Sequence, residues 1–450
     1  MTENDPGKID KIVSLCKRRG FVFPGSEIYG GMANSYDLGP LGTELFHNIG
    51  KLWWKKFVTE REDMLGVRGA VIMNPKVWEA SGHVTGFSDP LIECKLCHQR
   101  FRADHEDEMK VHENSHPDRE VSWTAPKNFN LLFKTFVGTV EDEKSVAYLR
   151  GETAATMFTD FSLFLDSTRK KLPFGIAQIG KAFRNEITPG NFLFRTREFT
   201  IAELEYFVRP GDDDDSFDMW LEFMNLFTTR DLGLNKERLR HYEHPKEQLA
   251  HYSKQTIDIE YNFPWGWGEV FGLANRTDFD LKNHERMSGA NLKYRDSETG
   301  EEFWPYAIEP TVGLERLMLT VLLDAYRQYE GGRSGEDGSG IETVLHIAPH
   351  LAPVAAAVLP LSKKAELTEP ARMLAKDLRK CFNVEYDETQ SIGKRYRRQD
   401  EIGTPYCVTY DFESPKDLQV TVRDRDSMKQ ERIALTSVAT YLRDKLIPME

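Results

Sequence analysis

The apolar residues of this chain change period several times, and those changes divide it into elements. Ile9, Ile12, Val13 and Cys16 recur at helical spacing, so an amphipathic helix is predicted over 8–19. Phe23-Pro24-Gly25-Ser26 and Tyr29-Gly30-Gly31 follow as a glycine-rich turn. A longer helix is expected over 41–59, carrying Trp53, Trp54 and Phe57. Residues 69–75 read as a short apolar strand ended by Pro75. Residues 174–186 and 194–208 read as two strands joined by Thr188-Pro189-Gly190-Asn191, residue types that favour a turn. A helix is predicted over 216–231 and a strand over 303–310. From 312 to 329, Leu314, Leu317, Met318, Val321, Leu322 and Ala325 keep the helical period.

Two stretches interrupt this pattern. Residues 90–120 bring cysteine, histidine and charge in place of periodic apolar positions, so they read as an insertion. Residues 330–340 are rich in glycine, serine and charge and read as a flexible linker. Beyond it, strands near 355–361, 384–387, 406–411 and 419–423 alternate with helices near 368–381, 391–402 and 436–446, the pattern of a compact α/β domain. The expected division is a first domain over 1–330 with the insertion at 90–148, a linker over 331–342 and a second domain over 343–450.

Composition narrows the function classes. The chain has 450 residues, 40% hydrophobic and 29% charged, as in ordinary soluble domains. It holds no apolar run near the ~20 residues that cross a bilayer. The polar, acidic N-terminus does not read as a secretory signal. Five cysteines, of which only Cys94 and Cys97 are close, do not form a disulfide framework, so the cytoplasm is the expected compartment. A net charge of −13 argues against non-specific nucleic-acid binding. One basic cluster, Lys394-Arg395-Tyr396-Arg397-Arg398, stands against that background, either as an RNA contact or as a solvated helix face.

Three arginine-bearing segments carry candidate chemistry: Phe183-Arg184-Asn185-Glu186, Arg195-Thr196-Arg197-Glu198-Phe199 and Gly313-Leu314-Glu315-Arg316. Strand alternation predicts one shared face for Arg195, Arg197, Phe199, Ile201, Glu203 and Glu205. Cations, an aromatic plate and then acids is the order needed to hold phosphates, a flat base and an ammonium group along one surface. Arginine supplies planar, permanently charged donors for phosphate oxygens.

These segments resemble motifs 2 and 3 of the class II aminoacyl-tRNA synthetases, and the segment ending in Pro75 resembles motif 1. The resemblance implies an α+β fold, an antiparallel sheet flanked by helices, with Pro75 at a dimer interface. It implies that Arg184 holds the α-phosphate, Arg195 the distal phosphates, and that Phe199 and Arg316 enclose the adenine. The likeness continues in Tyr36-Asp37-Leu38-Gly39-Pro40-Leu41-Gly42, in 74–83, in 175–181, in Arg276-Thr277-Asp278-Phe279-Asp280 and in 397–406. These resemble the dimeric type of glycyl-tRNA synthetase over nearly the whole chain. Carried over residue by residue, the resemblance implies catalytic roles for Arg184, Glu186 and Arg316. The ATP site would comprise these with Asn185, Phe194, Arg195, Thr196, Arg197, Glu198, Phe199, Glu269, Val270, Gly313, Leu314 and Glu315. Glu269 and Glu186 would steady the nucleotide or its Mg²⁺.

A glycine pocket must grip the ammonium and carboxylate and leave no room at Cα, since a clash excludes every larger amino acid. The resemblance assigns this pocket to Arg102, Glu152, Ile201, Ala202, Glu203, Arg276, Glu309, Pro310, Thr311, Val312 and Gly313. The chain departs from the family pattern at Ala155-Thr156, at Ile201-Ala202 and at Thr311, while the acids persist. Another class IIa specificity (threonine, proline, serine or histidine) and a non-catalytic synthetase-like binding protein are the rival readings.

Cys94-x2-Cys97 followed by His112-x3-His116 approaches the spacing of a Cys2His2 zinc site, with His98 and His105 as rival ligands. A filled, all-protein ligand set makes such a zinc structural. Residues 343–450 resemble a class IIa anticodon-binding domain, which implies contact with tRNA(Gly) by Lys394, Arg395, Arg397 and Arg398. A homodimer with no membrane or DNA partner completes the expectation.

Overall fold

The computed structural model describes residues 7–104, 106–187, 190–250, 252–333 and 340–447, without the side chains of 107 and 108. Thr188-Pro189 of the predicted turn, His105 and residues 334–339 of the predicted linker lie outside the described residues.

The first domain opens with α1 (Lys8–Arg19) and α2 (Pro40–Trp54), the latter running on as a wider turn through Lys55–Thr59. There follow β1 (Met64–Gly66), α3 (Pro75–Ala80), β2 (Phe174–Phe183), β3 (Glu198–Val208) and α4 (Asp213–Leu226). Then come β4 (Leu239–Glu243), β5 (Gln255–Phe263), β6 (Gly266–Thr277), β7 (Tyr306–Gly313) and α5 (Leu314–Ala325). The seven strands form one sheet in the order β4-β5-β6-β7-β3-β2-β1, antiparallel except for β1 beside β2. Alternation gives the sheet two unlike faces. Ala202, Leu204, Tyr206 and Val208 of β3 join Ile308 and Val312 of β7 in a core with Leu45, Ile49 and Trp53 of α2, Trp220 and Met224 of α4, and Leu317 of α5. Phe57 stacks on Trp53 at 4.8 Å and meets Phe227 edge-on at 5.0 Å, tying the helices together. On the other face, Phe207 of β3 and Ala307 of β7 pack at one end against Phe158, Phe161 and Phe174, and the rest carries Glu203, Glu205, Glu309 and Thr311.

Several predicted boundaries move. Residues 69–75 are not a strand. The Asn74 side chain accepts the Lys76 amide at 3.0 Å and Pro75 takes the first helical position, so this segment starts α3. Met64–Gly66 supplies the edge strand instead. The strand expected at 303–310 runs from Tyr306 to Gly313. The helix expected to reach 329 stops at Ala325, because Tyr326–Glu330 pairs antiparallel with Ile341–Leu345. Strand β3 starts only at Glu198, after a tight turn at Phe192–Phe194. Strands β4 to β6 have no counterpart in the sequence reading.

The second domain has β8 (Ala356–Pro360), α6 (Ala365–Leu378), β9 (Val384–Tyr386), α7 (Ile392–Ile402), β10 (Tyr406–Tyr410), β11 (Gln419–Asp424), β12 (Gln430–Ala434) and α8 (Val438–Lys445). The sheet order is β9-β8-β10-β11-β12, with β8 parallel to both neighbours. Val358, Leu367, Ala371, Val408, Val420 and Leu442 form its own core. The described ends of the predicted linker are fastened, since Arg333 reaches Glu342 Oε1 at 3.0 Å and Asp400 Oδ2 at 2.6 Å. Among the described residues no helix is long and apolar enough to cross a membrane.

The basic cluster divides on α7. Arg395 is only 2% exposed and donates to the Asp387 and Leu361 carbonyls at 3.3 and 3.5 Å, so it braces the domain and cannot meet RNA. Arg398 donates to Asp387 Oδ2 at 3.1 Å and to the Gln390 side chain. Arg397 lies against the hairpin base, 3.5 Å from where a Gly332 side chain would start. Lys394 is exposed. The helical period, which a run of like residues conceals, decides which cation faces solvent.

Candidate active site

An open cleft crosses the polar face of β3 and β7, lined by Arg184, Glu186, Phe194, Arg195, Thr196, Phe199, Ile201, Glu269, Thr311, Val312, Gly313, Glu315 and Arg316. Arg316, in the first turn of α5, donates from Nε to the Phe194 carbonyl at 3.1 Å and from Nη1 to Glu269 Oε2 at 2.9 Å. Its guanidinium lies 4.4 Å from the Phe194 ring centre. Arg184 donates from Nε to the Gly151 carbonyl at 3.0 Å, and its guanidinium lies 5.5 Å from the Phe199 ring centre. Burial alone would raise the Glu269 carboxyl, but Arg316, with Arg184 and Arg195, outweighs it and holds the group below its ordinary range. Glu186 Oε2 is buried with no hydrogen-bond partner in the described structure. Glu315 accepts the Thr200 amide and hydroxyl at 2.7 and 2.9 Å, fixing α5 to β3 from the cleft wall. Three guanidinium groups sharing a cleft with the Phe194 and Phe199 rings suit a polyphosphate attached to a flat base.

Behind Thr311 of the cleft wall lies a cluster of buried acids, Glu152, Glu203 and Glu309. Glu203 accepts the Thr153 amide and hydroxyl at 2.8 and 2.5 Å, and the Thr311 hydroxyl at 3.4 Å. Arg276, 1% exposed, grips Asp280 with two donors at 2.8 and 3.1 Å and Glu309 Oε1 at 2.7 Å. Its guanidinium sits 4.0 Å from the Tyr252 ring centre. Burial opposes its charge, but Asp280 and Glu309 outweigh that and keep it firmly cationic. Glu152 lies 3.2 Å from His83 Nε2 and 3.9 Å from Arg276 Nη2. Burial pushes its carboxyl up, and His83 and Arg276 more than reverse this, leaving it well below the usual range. Glu309 is pushed the other way, above its ordinary value, by burial that Arg276 only partly offsets. Acceptors converging on one small volume suit an ammonium group.

Not every expected residue arrives. The Asn185 amide is used on the Leu131 carbonyl at 2.8 Å. Arg197 donates to the Ala33 carbonyl at 3.0 Å and Glu198 meets Lys181 at 3.2 Å, both in a separate cavity beside residues 32–38. The alternation argument fails for Arg197 because regular pairing starts one residue later. Val270, Leu314 and Ala202 point into the helix-side core, and Pro310 is buried within β7. Arg102 is tied to Asp89 at 3.0 Å and Asp104 at 2.6 Å, on the side of the cleft where the charge of Glu186 reaches it.

In that insertion Cys94, Cys97, His112 and His116 bring their ligand atoms within 4.8 Å of one another. His116 Nε2 is buried and unpartnered in the described structure. His112 packs on Phe101 at 4.7 Å and on Trp123 at 5.6 Å, a small core behind the ligands. His98 turns out to Glu93 at 2.8 Å and takes no part.

The chain matches two families. Residues 139–326 match the family described as tRNA synthetase class II core domain (G, H, P, S and T), and residues 355–445 match the anticodon binding domain. It is 52% identical to a glycine–tRNA ligase of Caldanaerobacter subterraneus subsp. tengcongensis over 97% of this chain and 98% of that one. The glycine–tRNA ligases of Thermobifida fusca (52%, over 97% of this chain and 98% of the relative) and Cutibacterium acnes (50%, over 98% and 96%) are similar throughout. The chain belongs to the glycine–tRNA ligase family.

As a member of that family, its departures can be placed. Ala202 falls on the core face of β3, so only Ile201 of that pair lines the cleft. Thr156 packs where Gly69 has no side chain; a Cβ there would sit 2.1 Å from its hydroxyl. Thr311 keeps its hydroxyl on Glu203. The pocket also depends on residues given no role from sequence: Thr153, His83, Asp280 and Tyr252. The spacing Arg276-x3-Asp280 was the available signal for the central ion pair. Gly272 was missed as well. A Cβ there would lie 3.2 Å from Thr311 Cγ2 and 3.5 Å from Glu269 Oε1, on the cleft floor.

Proposed function

We propose that this chain activates glycine with ATP, giving glycyl-adenylate and pyrophosphate, and then transfers the glycyl group to the 3′ end of tRNA(Gly). The observation that carries the reading is continuity: Thr311 lines the arginine-bordered cleft and also donates into the buried acid pocket. A substrate ammonium on Glu152, Glu203 and Glu309 would point its carboxylate at the α-phosphate beside Arg184. A carboxylate attacks without prior deprotonation, so no general base is needed. The work is alignment and charge neutralisation. Phe199 and Arg316 are the supports for adenine. Glu269 and Glu186 are the carboxylates suited to Mg²⁺ on the nucleotide, one held anionic and one with an unengaged buried oxygen.

Pyrophosphate exchange across the amino acids tests the substrate. Exchange with glycine should exceed that with alanine or serine by more than about a hundredfold. Stronger exchange with alanine, serine or threonine would overturn the assignment.

The finer assignments follow from the same reading. Residues 1–330 are the catalytic unit and 343–450 the anticodon-binding unit, with Lys394 a candidate RNA contact. A homodimer is supported by Ile28, Tyr29, Met32 and Ile72, which stand 88%, 86%, 61% and 52% exposed. The free thiols of all five cysteines favour the cytoplasm. The Cys94, Cys97, His112 and His116 set has the chemistry and convergence of a structural zinc site. Purified protein should carry about one zinc per chain, and Cys94→Ser should lose it while exchange activity of the core persists in part. Native protein without zinc by mass spectrometry would refute this.

A further inference from the structure

Beneath the acid pocket lies a carboxyl that the proposed reaction does not use. Glu205 follows Glu203 on the same face of β3, is 0% exposed, and neither of its oxygens has a hydrogen-bond partner in the described structure. The pairing of β3 with β7 runs Glu203 to Thr311 and Tyr206 to Ile308, which carries Glu205 to the place opposite Glu309. On its other side β2 offers Ile176, an apolar neighbour. The charged groups around Glu205 are therefore Glu203 on its own strand, Glu309 on β7, Arg276 on β6 and Asp280 in the helix Phe279–Ser288. Glu152, Tyr252 and His284 form the next ring about Arg276. The Arg276 guanidinium is already divided between Asp280 and Glu309.

Two carboxylates facing each other across adjacent strands, both removed from water, cannot both ionise cheaply. A proton shared between them resolves the conflict, and a protonated Glu205 gains a donor for Glu309. We propose that Glu205 is a positioning residue for the amino-group pocket: it shares one proton with Glu309, and the arriving ammonium confines that proton to Glu205, leaving Glu309 as the anionic acceptor. No proton enters or leaves solvent; it moves from one carboxyl oxygen to its neighbour as the substrate charge arrives. Burial, with Glu309 next, pushes Glu205 well above the ordinary range, and Glu309 is raised as well, in keeping with a pair that titrates as a unit.

The inference rests on reading this pocket as the seat of the substrate amino group, and two substitutions separate the claims. Glu205→Gln keeps a neutral donor of the same shape. Glu205→Met keeps the volume and offers neither donor nor acceptor. Glycine-dependent exchange should give Glu205→Gln a KM for glycine within about threefold of native and Glu205→Met a KM raised about tenfold or more, with KM for ATP unchanged in both. The Met variant should also recover as pH rises, because Glu309, raised by its burial, must then shed its own proton to solvent, whereas the native and Gln profiles coincide. A Met variant within about twofold of native shows that Glu205 only fills space and overturns the proposal. So does a Gln variant as impaired as the Met one. If the Met chain does not fold, the Gln variant decides, and a glycine KM beyond about threefold of native counts against the proposal. Absence of glycine-dependent exchange by the native protein would instead sink the reading of the pocket itself.

Discussion

Arg184→Ala is expected to lower glycine-dependent pyrophosphate exchange by roughly 10²–10³-fold while the protein stays folded. The rate effect follows from what the reaction lacks. The nucleophile needs no activation, so the barrier lies in bringing two anions together and in the charge that builds on the α-phosphate. Fixed positive charge at that place is worth most when it is already aimed and partly shielded from water. Arg184 meets both conditions, with one hydrogen bond at 3.0 Å to the Gly151 carbonyl and Phe199 and Phe87 at 5.5 and 5.2 Å from its guanidinium. The stability effect is small for the same reason, since one half-buried hydrogen bond is worth about 1 kcal/mol. Exchange kinetics and a urea melt on the same preparation check both halves. Exchange within threefold of native, in a folded variant, would remove Arg184 from the phosphate site.

Residues read correctly from sequence share a feature: their role depends on near neighbours along the chain. The helical period of Leu314, Leu317, Met318, Val321 and Leu322 is set by one buried face, and α5 forms there. The second domain is legible because each strand is a short apolar run between turn residues. Strand β6 hides because Gly266, Gly268 and Gly272 break its apolar alternation, and Gly272 is glycine for the sake of the cleft. The segment at 69–75 misleads because its apolar residues predict pairing, whereas Asn74 and Pro75 are a helix start. In the site, alternation alone separates Glu203 from Ala202 and Leu204. It cannot say that Glu152, Arg276 and Glu309, from three distant segments, meet at one point. That convergence comes from sheet register, and only family resemblance anticipated it. The basic run at 394–398 shows the opposite error: a charge cluster visible in sequence disperses once burial sorts its members.

Arg276→Met is expected to cost about 3–5 kcal/mol of stability at neutral pH and to abolish glycine activation. Methionine matches much of the volume, so the loss is chiefly electrostatic. The guanidinium serves Asp280 and Glu309 directly and Glu152 at 3.9 Å, and removing it leaves those carboxyls buried without their cation. Breaking a buried ion cluster from one side is expensive because the surviving charges stay desolvated. The sign of the pH dependence follows from Glu152. Its folded value lies below the unfolded one, so the stability it contributes is present above the unfolded carboxylate range and is lost as pH falls through the lower, folded value. Without Arg276 part of that lowering disappears, and protonation of Glu152 relieves the variant sooner than the native protein. The stability gap should therefore be widest near neutrality and narrow as pH falls toward about 4–5. Paired urea titrations of native and variant at the two ends of that range measure it. A gap that stays constant with pH would show that Arg276 acts through packing on Tyr252 and Phe158, and a loss under about 1 kcal/mol would show that the acids find other partners.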